Sequence, residues 1–288
     1  MQGKVCLITG ATNGIGKVAA LELAKKGATV IVAGRDSQKT EQVVSAIRQA
    51  AGHERVHHAL ADLSLMSGVH ALADDILKRY DRLDVLLNNA GGIFNERHVT
   101  SEGLELTFAL NHMSYFLLTH RLLDLLCESA PARVINVSSN AHFGVQKLDF
   151  DNLQGEKSYF GFGAYSRSKL ANVLFTYELA RRLVGTGVTA NALHPGAVST
   201  GFGMNNKDVI SKVLFTLFKM MTITPEQGAQ TSIYLASSPE VNGMTGKYFT
   251  KSKPATSSAA SYDEESQHRL WQVSEQIAGI SVSAAAHG

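Results

Sequence analysis

The sequence predicts an α/β fold in which one domain is built on a doubly wound parallel sheet, with helices on both faces. Short, almost wholly apolar runs alternate with segments of helical periodicity up to about residue 250. Strands that are apolar throughout are typical of a parallel sheet, because helices cover both of its faces. No internal repeat and no linker rich in proline, glycine or serine interrupts the alternation. We therefore expect a single domain over residues 1–280 and a tail at 281–288.

The predicted elements begin with the strand KVCLIT, after which Ile15, Val18, Ala19 and Leu23 recur at the spacing of a helix. A second strand, ATVIVAG, precedes the helix SQKTEQVVSAIRQA, for which Ser37 is the expected N-cap. The alternation continues through RVHHALADL and a following helix, DVLLNNAG, a long helix near 102–126, RVINVSS, a helix at about 164–183, and the strands TANALHP and KYFT. Rossmann-like sheets of this kind bind ligands at the carboxyl ends of their strands, so candidate site residues should follow each apolar run.

Composition limits the classes of function. The chain has 288 residues, of which 44% are hydrophobic and 18% charged, and its net charge is +2. These values are typical of a globular protein and give no reason to expect a nucleic-acid partner. Two cysteines cannot form a disulfide framework, and the eleven histidines show no metal-binding spacing, so we expect no metal site. A strand signal beside Met1 and the lack of any apolar run of ~18 residues argue against secretion or a membrane span and favour a cytoplasmic protein.

The segment TGATNGIG, which ends at Gly16, predicts a site for the phosphates of a dinucleotide. It follows the first strand and begins the first helix, where backbone N–H groups and the positive end of the helix dipole favour an anion. The residues that we expect to contact the cofactor here are Gly10, Thr12, Asn13, Gly14, Ile15 and Gly16. Its glycine spacing, G-x-x-x-G-x-G, differs from the G-x-G-x-x-G dinucleotide fingerprint, and the alternative is an ordinary turn between a strand and a helix.

The end of the second strand indicates which dinucleotide is bound. An acidic residue at this position would accept a hydrogen bond from the ribose of NAD, whereas an arginine suits the 2′-phosphate of NADP. Gly34 and Arg35 follow VIVA, and Lys39 adds a second positive charge. Asp36 is the complication, because it could bind the ribose hydroxyls or start the next helix. The charges favour NADP(H) over NAD(H).

The ends of the third and fourth strands supply candidates for the adenine and ribose. Asp62 and Leu63 follow the third strand, and Asn89, Ala90 and Gly91 lie in the NNAG segment after the fourth. The alternative interpretation makes Asp62 a helix N-cap and NNAG a plain turn.

The segment YSRSK carries the predicted chemistry, because it places Tyr165 and Lys169 on one face of a helix, one turn apart. A tyrosine with a pKa of about 10 is a poor base at neutral pH, but a nearby cation stabilises its phenolate. Ser139, after RVINV, could donate a hydrogen bond to a substrate carbonyl, and Ser138 is the alternative, since side chains alternate along a strand. Asn111, in an apolar helix, is either a satisfied structural amide or a residue that holds a water.

Taken in order, TGATNGIG, NNAG, the Asn111 helix, NVSS, YSRSK and HPGAVST resemble the short-chain dehydrogenase/reductase family over about residues 4–250. The connection before Tyr165, the GKYF segment and the final RLWQVSEQI helix look like the retinol dehydrogenase branch. The resemblance implies that Tyr165 is the acid/base and that Lys169 modulates its pKa and binds the ribose. It also selects Ser139 over Ser138 and implies that Asn111 holds a water that links Lys169 to solvent.

The same resemblance places Pro195, Gly196, Val198 and Thr200 at the cofactor, with Val198 and Thr200 on the nicotinamide amide. It implies an NADP(H)-dependent alcohol dehydrogenase or carbonyl reductase, in which hydride passes between the nicotinamide and a carbonyl carbon. An NAD-linked alcohol dehydrogenase and a non-catalytic NADP(H)-binding sensor or scaffold are the alternatives. The complete Ser/Tyr/Lys/Asn set argues against a sensor.

A segment at about 197–225 is interpreted as a lid over a lipophilic aldehyde, ketone or matching alcohol. Its apolar residues include Leu214, Leu217 and Phe218 at helical spacing, so packing against the body is the alternative. Lys207, Lys212 and Lys219 lie beside them and also allow peripheral contact with a membrane surface. Because members of the family often dimerise through the helices that correspond to those of Asn111 and Tyr165, a homodimer is left open.

Overall fold

The computed structural model describes residues 1–196 and 223–280. Within these ranges one sheet has the strand order β3-β2-β1-β4-β5-β6-β7-β8. Its strands are β1 (Val5–Thr9), β2 (Thr29–Gly34), β3 (Val56–Leu60), β4 (Val85–Asn88), β5 (Ala132–Val137), β6 (Val188–His194), β7 (Lys247–Thr250) and β8 (Lys253–Ala255). All neighbours are parallel except β7 and β8, which the sequence analysis did not separate. The predicted doubly wound parallel sheet is confirmed.

The helices flank the sheet and follow the predicted order. They are α1 (Gly14–Lys25), α2 (Ser37–Ala51), α3 (Met66–Arg79), α4 (Leu106–Phe108), α5 (Ser114–Arg121), α6 (Leu123–Glu128), α7 (Gly161–Arg182), α8 (Pro225–Ser237) and α9 (Glu264–Ile277). The predicted long helix near 102–126 is a succession of shorter pieces, with a π-helical turn at Ala109–Met113 between α4 and α5. The first of these pieces begins at Leu106 and not near residue 102. Glu105 is its N-cap, because the Glu105 carboxylate accepts hydrogen bonds from the backbone N–H groups of Thr107 and Phe108.

The N-cap of α2 was predicted one residue too late. Asp36, and not Ser37, is the cap, because its carboxylate accepts a hydrogen bond of 2.7 Å from the backbone N–H of Lys39. A carboxylate at this position satisfies a helix N–H group that has no partner within the helix. Asp36 therefore starts the helix, as one of the two interpretations of this residue held.

The two largest clusters of apolar side chains among the described residues lie on opposite sides of the sheet. One cluster joins β1 and β2 to α1, α2 and α8, and the other joins them to α3, α5, α6 and α7. The C-terminal helix α9 packs outside α5 and α7, where the ring of Trp271 lies 5.1 Å from that of Phe116 and 5.9 Å from that of Phe175. It therefore covers part of the helix pair through which the resemblance implies dimerisation.

The sheet reverses its winding between β1 and β4. From β1 the chain builds outward to β3 and then crosses to β4 on the other side of β1. Such a reversal leaves a crevice at the carboxyl ends of the strands, which is where open α/β sheets bind ligands. Residues 197–222, which include most of the predicted lid with Val198 and Thr200, and the predicted tail at 281–288 lie outside the described residues. None of the helices described is both long and apolar enough to span a bilayer.

Candidate active site

A cleft of about 420 Å³ opens at this reversal, over the carboxyl ends of β1, β4 and β5. Its walls contain most of the residues singled out in the sequence: Gly10, Thr12, Asn13, Gly14, Ile15, Arg35, Asp62, Leu63, Ala90, Gly91, Asn89, Ser139, Tyr165, Lys169, Pro195 and Gly196. The structure thus brings residues from six strand ends into one site.

The glycines after β1 allow a turn that is too tight for side chains. Gly10 and Gly14 adopt φ angles of +63° and +51°, which favour glycine. A Cβ at Gly10 would lie 2.8 Å from the Cα of Ala90, and one at Gly16 would lie 2.5 Å from the Nδ2 of Asn89. The glycine turn is therefore packed against the NNAG segment. Gly16 serves this packing and is not part of the cleft wall.

Thr9 and Asn89 join the ends of β1 and β4. The Thr9 hydroxyl accepts hydrogen bonds from the backbone N–H groups of Asn89 (2.9 Å) and Ala90 (3.0 Å). In return, the Asn89 side chain donates to the Thr9 carbonyl at 2.8 Å. The NNAG segment is consequently both a rigid turn and part of the cleft wall, so the two interpretations of it do not exclude each other.

The interpretation of Asp62 as a helix N-cap is wrong. Leu65 occupies that position, and the Asp62 carboxylate instead accepts from the backbone N–H of Ser64 (3.0 Å) and from its hydroxyl (2.7 Å). Burial raises the pKa of Asp62, but these hydrogen bonds and the charge of Arg35 outweigh it and lower the pKa below its usual value. Asp62 stays ionised at the edge of the cleft, close to Arg35.

The end of β2 is closed to any side chain at Gly34. A Cβ there would lie 2.4 Å from the Thr40 hydroxyl and 2.5 Å from a methyl group of Thr12. Arg35 is exposed and lines the cleft, whereas Lys39 is exposed on α2 and does not line it. The structure therefore places one of the two predicted cations at the cleft, and the Asp36 carboxylate is bound to the N-terminus of α2.

Tyr165, Lys169 and Ser139 meet at the other end of the cleft. The Lys169 ammonium donates a hydrogen bond of 3.0 Å to the Val137 carbonyl and lies 5.7 Å from the centre of the Tyr165 ring. The Ser139 hydroxyl lies within hydrogen-bonding reach of the Tyr165 phenol. The hydroxyl of Ser138 points elsewhere, because it donates to the Lys169 carbonyl at 2.7 Å and ties β5 to α7.

Burial shifts the pKa values of Tyr165 and Lys169 so that the neutral form of each side chain is favoured. Burial raises the pKa of Tyr165 to about 12, against a hydrogen bond from Ser139 that lowers it. Burial also lowers the pKa of Lys169 to about 7. The sequence-based expectation that the lysine brings the phenol toward a lower pKa is therefore not met, because the loss of solvation is the larger effect on both groups.

Asn111 lies behind the cleft and is fully buried in the π-helical turn. Its side chain accepts from the backbone N–H of Gly92 (2.8 Å) and donates to the Gly92 carbonyl and to the Ser168 hydroxyl, both at 2.9 Å. A Cβ at Gly91 would lie 3.1 Å from the Asn111 amide oxygen and 3.5 Å from the Lys169 nitrogen. The amide is thus structurally satisfied beside Lys169, and its water-holding role stays a prediction.

Sequence reasoning missed the apolar wall of the cleft beside Tyr165. Ile93 and Phe94 follow NNAG, and Leu106 and Leu110 come from the α4 region. No motif marks these residues. Their position in the sequence was the only signal. Ile93 and Phe94 come shortly after the end of β4, and Leu106 and Leu110 come shortly before Asn111.

Comparison with known proteins agrees with this architecture. A family model described as short chain dehydrogenase matches residues 4–210. Retinol dehydrogenase 14 from Mus musculus is 43% identical over 293 residues, which cover 97% of this chain and 87% of that protein. An uncharacterized protein from Mycobacterium paratuberculosis has a crystal structure that superposes with a TM-score of 0.78 at 32% identity, covering 96% of this chain and 94% of that one. The Pseudomonas aeruginosa RhlG/NADP active-site complex superposes with a TM-score of 0.70 at 28% identity, covering 86% and 94%.

Replacing Lys169 by methionine should change how stability depends on pH. The unfolded lysine keeps its proton up to a pKa of about 10.4, whereas the folded one loses it near 7, so between these values the unfolded state binds more protons. The free energy of unfolding of the wild type, minus that of Lys169→Met, should therefore rise from pH 7 to pH 10, by up to about 1.4 kcal/mol per pH unit. Urea denaturation at several pH values measures this difference. Lys147→Met is the control, because Lys147 is exposed, and it should show no such rise. A stability difference for Lys169→Met that does not change with pH would contradict the burial of the Lys169 charge.

Proposed function

The chain belongs to the short-chain dehydrogenase family, and we propose that it is an NADP(H)-dependent oxidoreductase that acts on a lipophilic aldehyde or ketone, or on the matching alcohol. The observation that carries the proposal is the meeting of Tyr165, Lys169 and Ser139 at one end of a cleft whose other end is a glycine turn at a helix N-terminus. One end suits proton transfer and the other suits phosphate groups.

The residues of the cleft fit a bound dinucleotide. Gly10 and Gly14 leave the backbone of the turn bare, so phosphate oxygens can approach the N–H groups at the start of α1. Asp62 at the third strand end suits the adenine and ribose, as do Ala90 and Gly91. The cofactor supplies the hydride chemistry, and the protein supplies orientation and electrostatics.

Four observations support NADP(H) over NAD(H). Gly34 has no room for the acidic side chain that would accept a hydrogen bond from the ribose of NAD. The carboxylate of Asp36 is bound to the backbone of Lys39. Arg35 is exposed at the cleft, where its planar guanidinium can bind a 2′-phosphate with two hydrogen bonds. The RhlG complex of Pseudomonas aeruginosa, a structural relative, contains NADP.

The proposed proton transfer takes place at the Tyr165 hydroxyl. With a pKa raised to about 12, the phenol carries its proton at neutral pH and is ready to give it to the oxygen of a substrate carbonyl. Burial disfavours the phenolate of Tyr165 and the ammonium of Lys169 alike. Ser139 donates a hydrogen bond to the substrate oxygen as negative charge develops there. The protonated phenol is the form that reduction of a carbonyl requires.

The substrate is proposed to be lipophilic because the wall beside Tyr165 is apolar. Ile93, Phe94, Leu106 and Leu110 offer no hydrogen-bond donors or acceptors from their side chains. The Mus musculus relative is named retinol dehydrogenase 14, and retinol is a long apolar alcohol. The two observations agree on the chemical class.

Tyr165→Phe should remove most of the turnover and leave the cofactor affinity nearly unchanged. The substitution deletes the hydroxyl that exchanges the proton and keeps the ring, so kcat should fall by about 10²-fold or more. Steady-state kinetics and titration of NADPH fluorescence measure the two effects. Tyr234→Phe is the matched control, since Tyr234 lies on α8 and bonds to Glu240. Retained turnover in Tyr165→Phe would rule out the proposed role.

Arg35→Asp should shift the cofactor preference from NADPH to NADH. The new carboxylate would repel a 2′-phosphate, so the ratio of kcat/KM for NADPH to that for NADH should fall by about tenfold or more. Arg55→Asp, on an exposed loop away from the cleft, has the same change of charge and should leave the ratio as it is. An unchanged ratio in Arg35→Asp would show that Arg35 does not select the cofactor, and a wild-type ratio below one would favour the NAD-linked alternative.

A further inference from the structure

His142 is a fully buried histidine beside the site, and the proposed chemistry does not use it. It lies in the short 3₁₀ turn Asn140–Gly144, three residues after Ser139. The ring packs against that of Tyr248 on β7, with their centres 4.9 Å apart. A buried imidazole needs partners for both of its nitrogens, and here both have them.

The two partners determine which nitrogen carries the proton. Nδ1 of His142 lies 2.6 Å from the Ser139 carbonyl oxygen, and the backbone N–H of Ser258 donates to Nε2 at 3.0 Å. A carbonyl can only accept and a backbone N–H can only donate, so Nδ1 holds the proton and Nε2 is bare. Burial lowers the pKa of His142, which is consistent with a neutral ring.

These bonds hold the peptide of Ser139 from several directions. Its carbonyl also accepts from the backbone N–H of His142 at 3.1 Å, and its hydroxyl accepts from the backbone N–H of Ala141 at 3.2 Å. Ser258, on the far side of the ring, follows Ser257, whose hydroxyl lies 2.7 Å from that of Tyr177.

Tyr177 belongs to α7, the helix that also carries Tyr165. The ring of His142 therefore connects the turn that carries Ser139 to a segment bound to the helix that carries Tyr165. Its own bond to Ser139 is the shorter of its two hydrogen bonds.

We propose that His142 is a positioning residue for Ser139. Its Nδ1–H orients the Ser139 carbonyl, and this sets the place of the Ser139 hydroxyl relative to the Tyr165 phenol. The inference rests on the proposed function, because it takes Ser139 as the group that donates to the substrate oxygen. The hydrogen bond from the Ser258 backbone N–H to Nε2 holds the His142 ring in place.

Two substitutions separate the two bonds of the ring. The carboxamide of asparagine ends at about the place of Nδ1 and can still donate to the Ser139 carbonyl, whereas that of glutamine ends at about the place of Nε2 and can still accept from Ser258. We expect His142→Asn to keep kcat within about threefold of the wild type and His142→Gln to lower it by about tenfold or more, because a displaced catalytic group slows the reaction steeply. The affinity for NADPH, measured by fluorescence titration, should be unchanged in both.

His53 offers a matched control at a distance from the cleft. Its ring lies 2.8 Å from the Ala24 carbonyl through Nε2 and accepts from the backbone N–H of Arg55 through Nδ1, so it also bonds to a carbonyl and to an amide. His53→Asn and His53→Gln should leave kcat unchanged, whatever they do to the melting temperature. For all four variants the melting temperature is measured beside kcat, so that loss of stability is distinguished from loss of turnover.

The decisive comparison places the glutamine substitution in a Ser139→Ala background. If His142 acts through Ser139, His142→Gln should lower kcat about tenfold or more in the wild type and by less than twofold after Ser139 has lost its hydroxyl. The same factor in both backgrounds, or equal kcat values for His142→Asn and His142→Gln, would overturn the inference and leave the proposed function intact. A Ser139→Ala variant with the kcat of the wild type would instead show that the proposed role of Ser139 is wrong, and the inference with it.

Discussion

The site depends on the placement of one ammonium group inside the protein. Lys169 is almost fully buried, and the Val137 carbonyl accepts a hydrogen bond from its side chain. A cation in such surroundings is costly unless groups of opposite charge or hydrogen-bond acceptors face it. The pKa of about 7 expresses this cost. The Lys169 side chain therefore lies 5.7 Å from the centre of the Tyr165 ring, in surroundings that stabilise its charge only weakly.

The surrounding packing keeps that pair in place. The hydroxyl of Ser138 ties the backbone of Lys169 to β5, and Asn111 ties α7 to the Gly92 backbone through Ser168. These bonds connect α7 to the strand ends on which the cleft is built. At the opposite end of the cleft, close contacts of backbone with backbone, which only glycine permits, hold the first turn against NNAG. Hydrogen bonds at one end of the cleft and close packing at the other therefore fasten both ends to the strand termini.

The sequence predicted the sheet and the location of most site residues because these follow from local patterns. Apolar runs define strands, and the residues after them must lie at one edge, which explains why Arg35, Asp62 and Ser139 were expected to line a common cleft. What it could not predict depends on burial and on contacts between distant segments. Three features require the packed structure: the pKa values of Tyr165 and Lys169, the exclusion of Lys39 from the cleft, and the bond of His142 to Ser258. The choice of Ser139 over Ser138 came from the family resemblance and not from the strand pattern.

We propose that the cleft brings NADP(H) and a carbonyl or alcohol group to Tyr165 and Lys169. The most direct measurement follows the absorbance of the reduced nicotinamide when the wild-type protein is mixed with NADPH and a series of lipophilic aldehydes and ketones. We expect the absorbance to fall at a rate proportional to the amount of protein, faster with NADPH than with NADH, and to rise when matching alcohols are mixed with NADP⁺. NADPH that binds without any change in absorbance across the whole series, in either direction, would contradict this proposal.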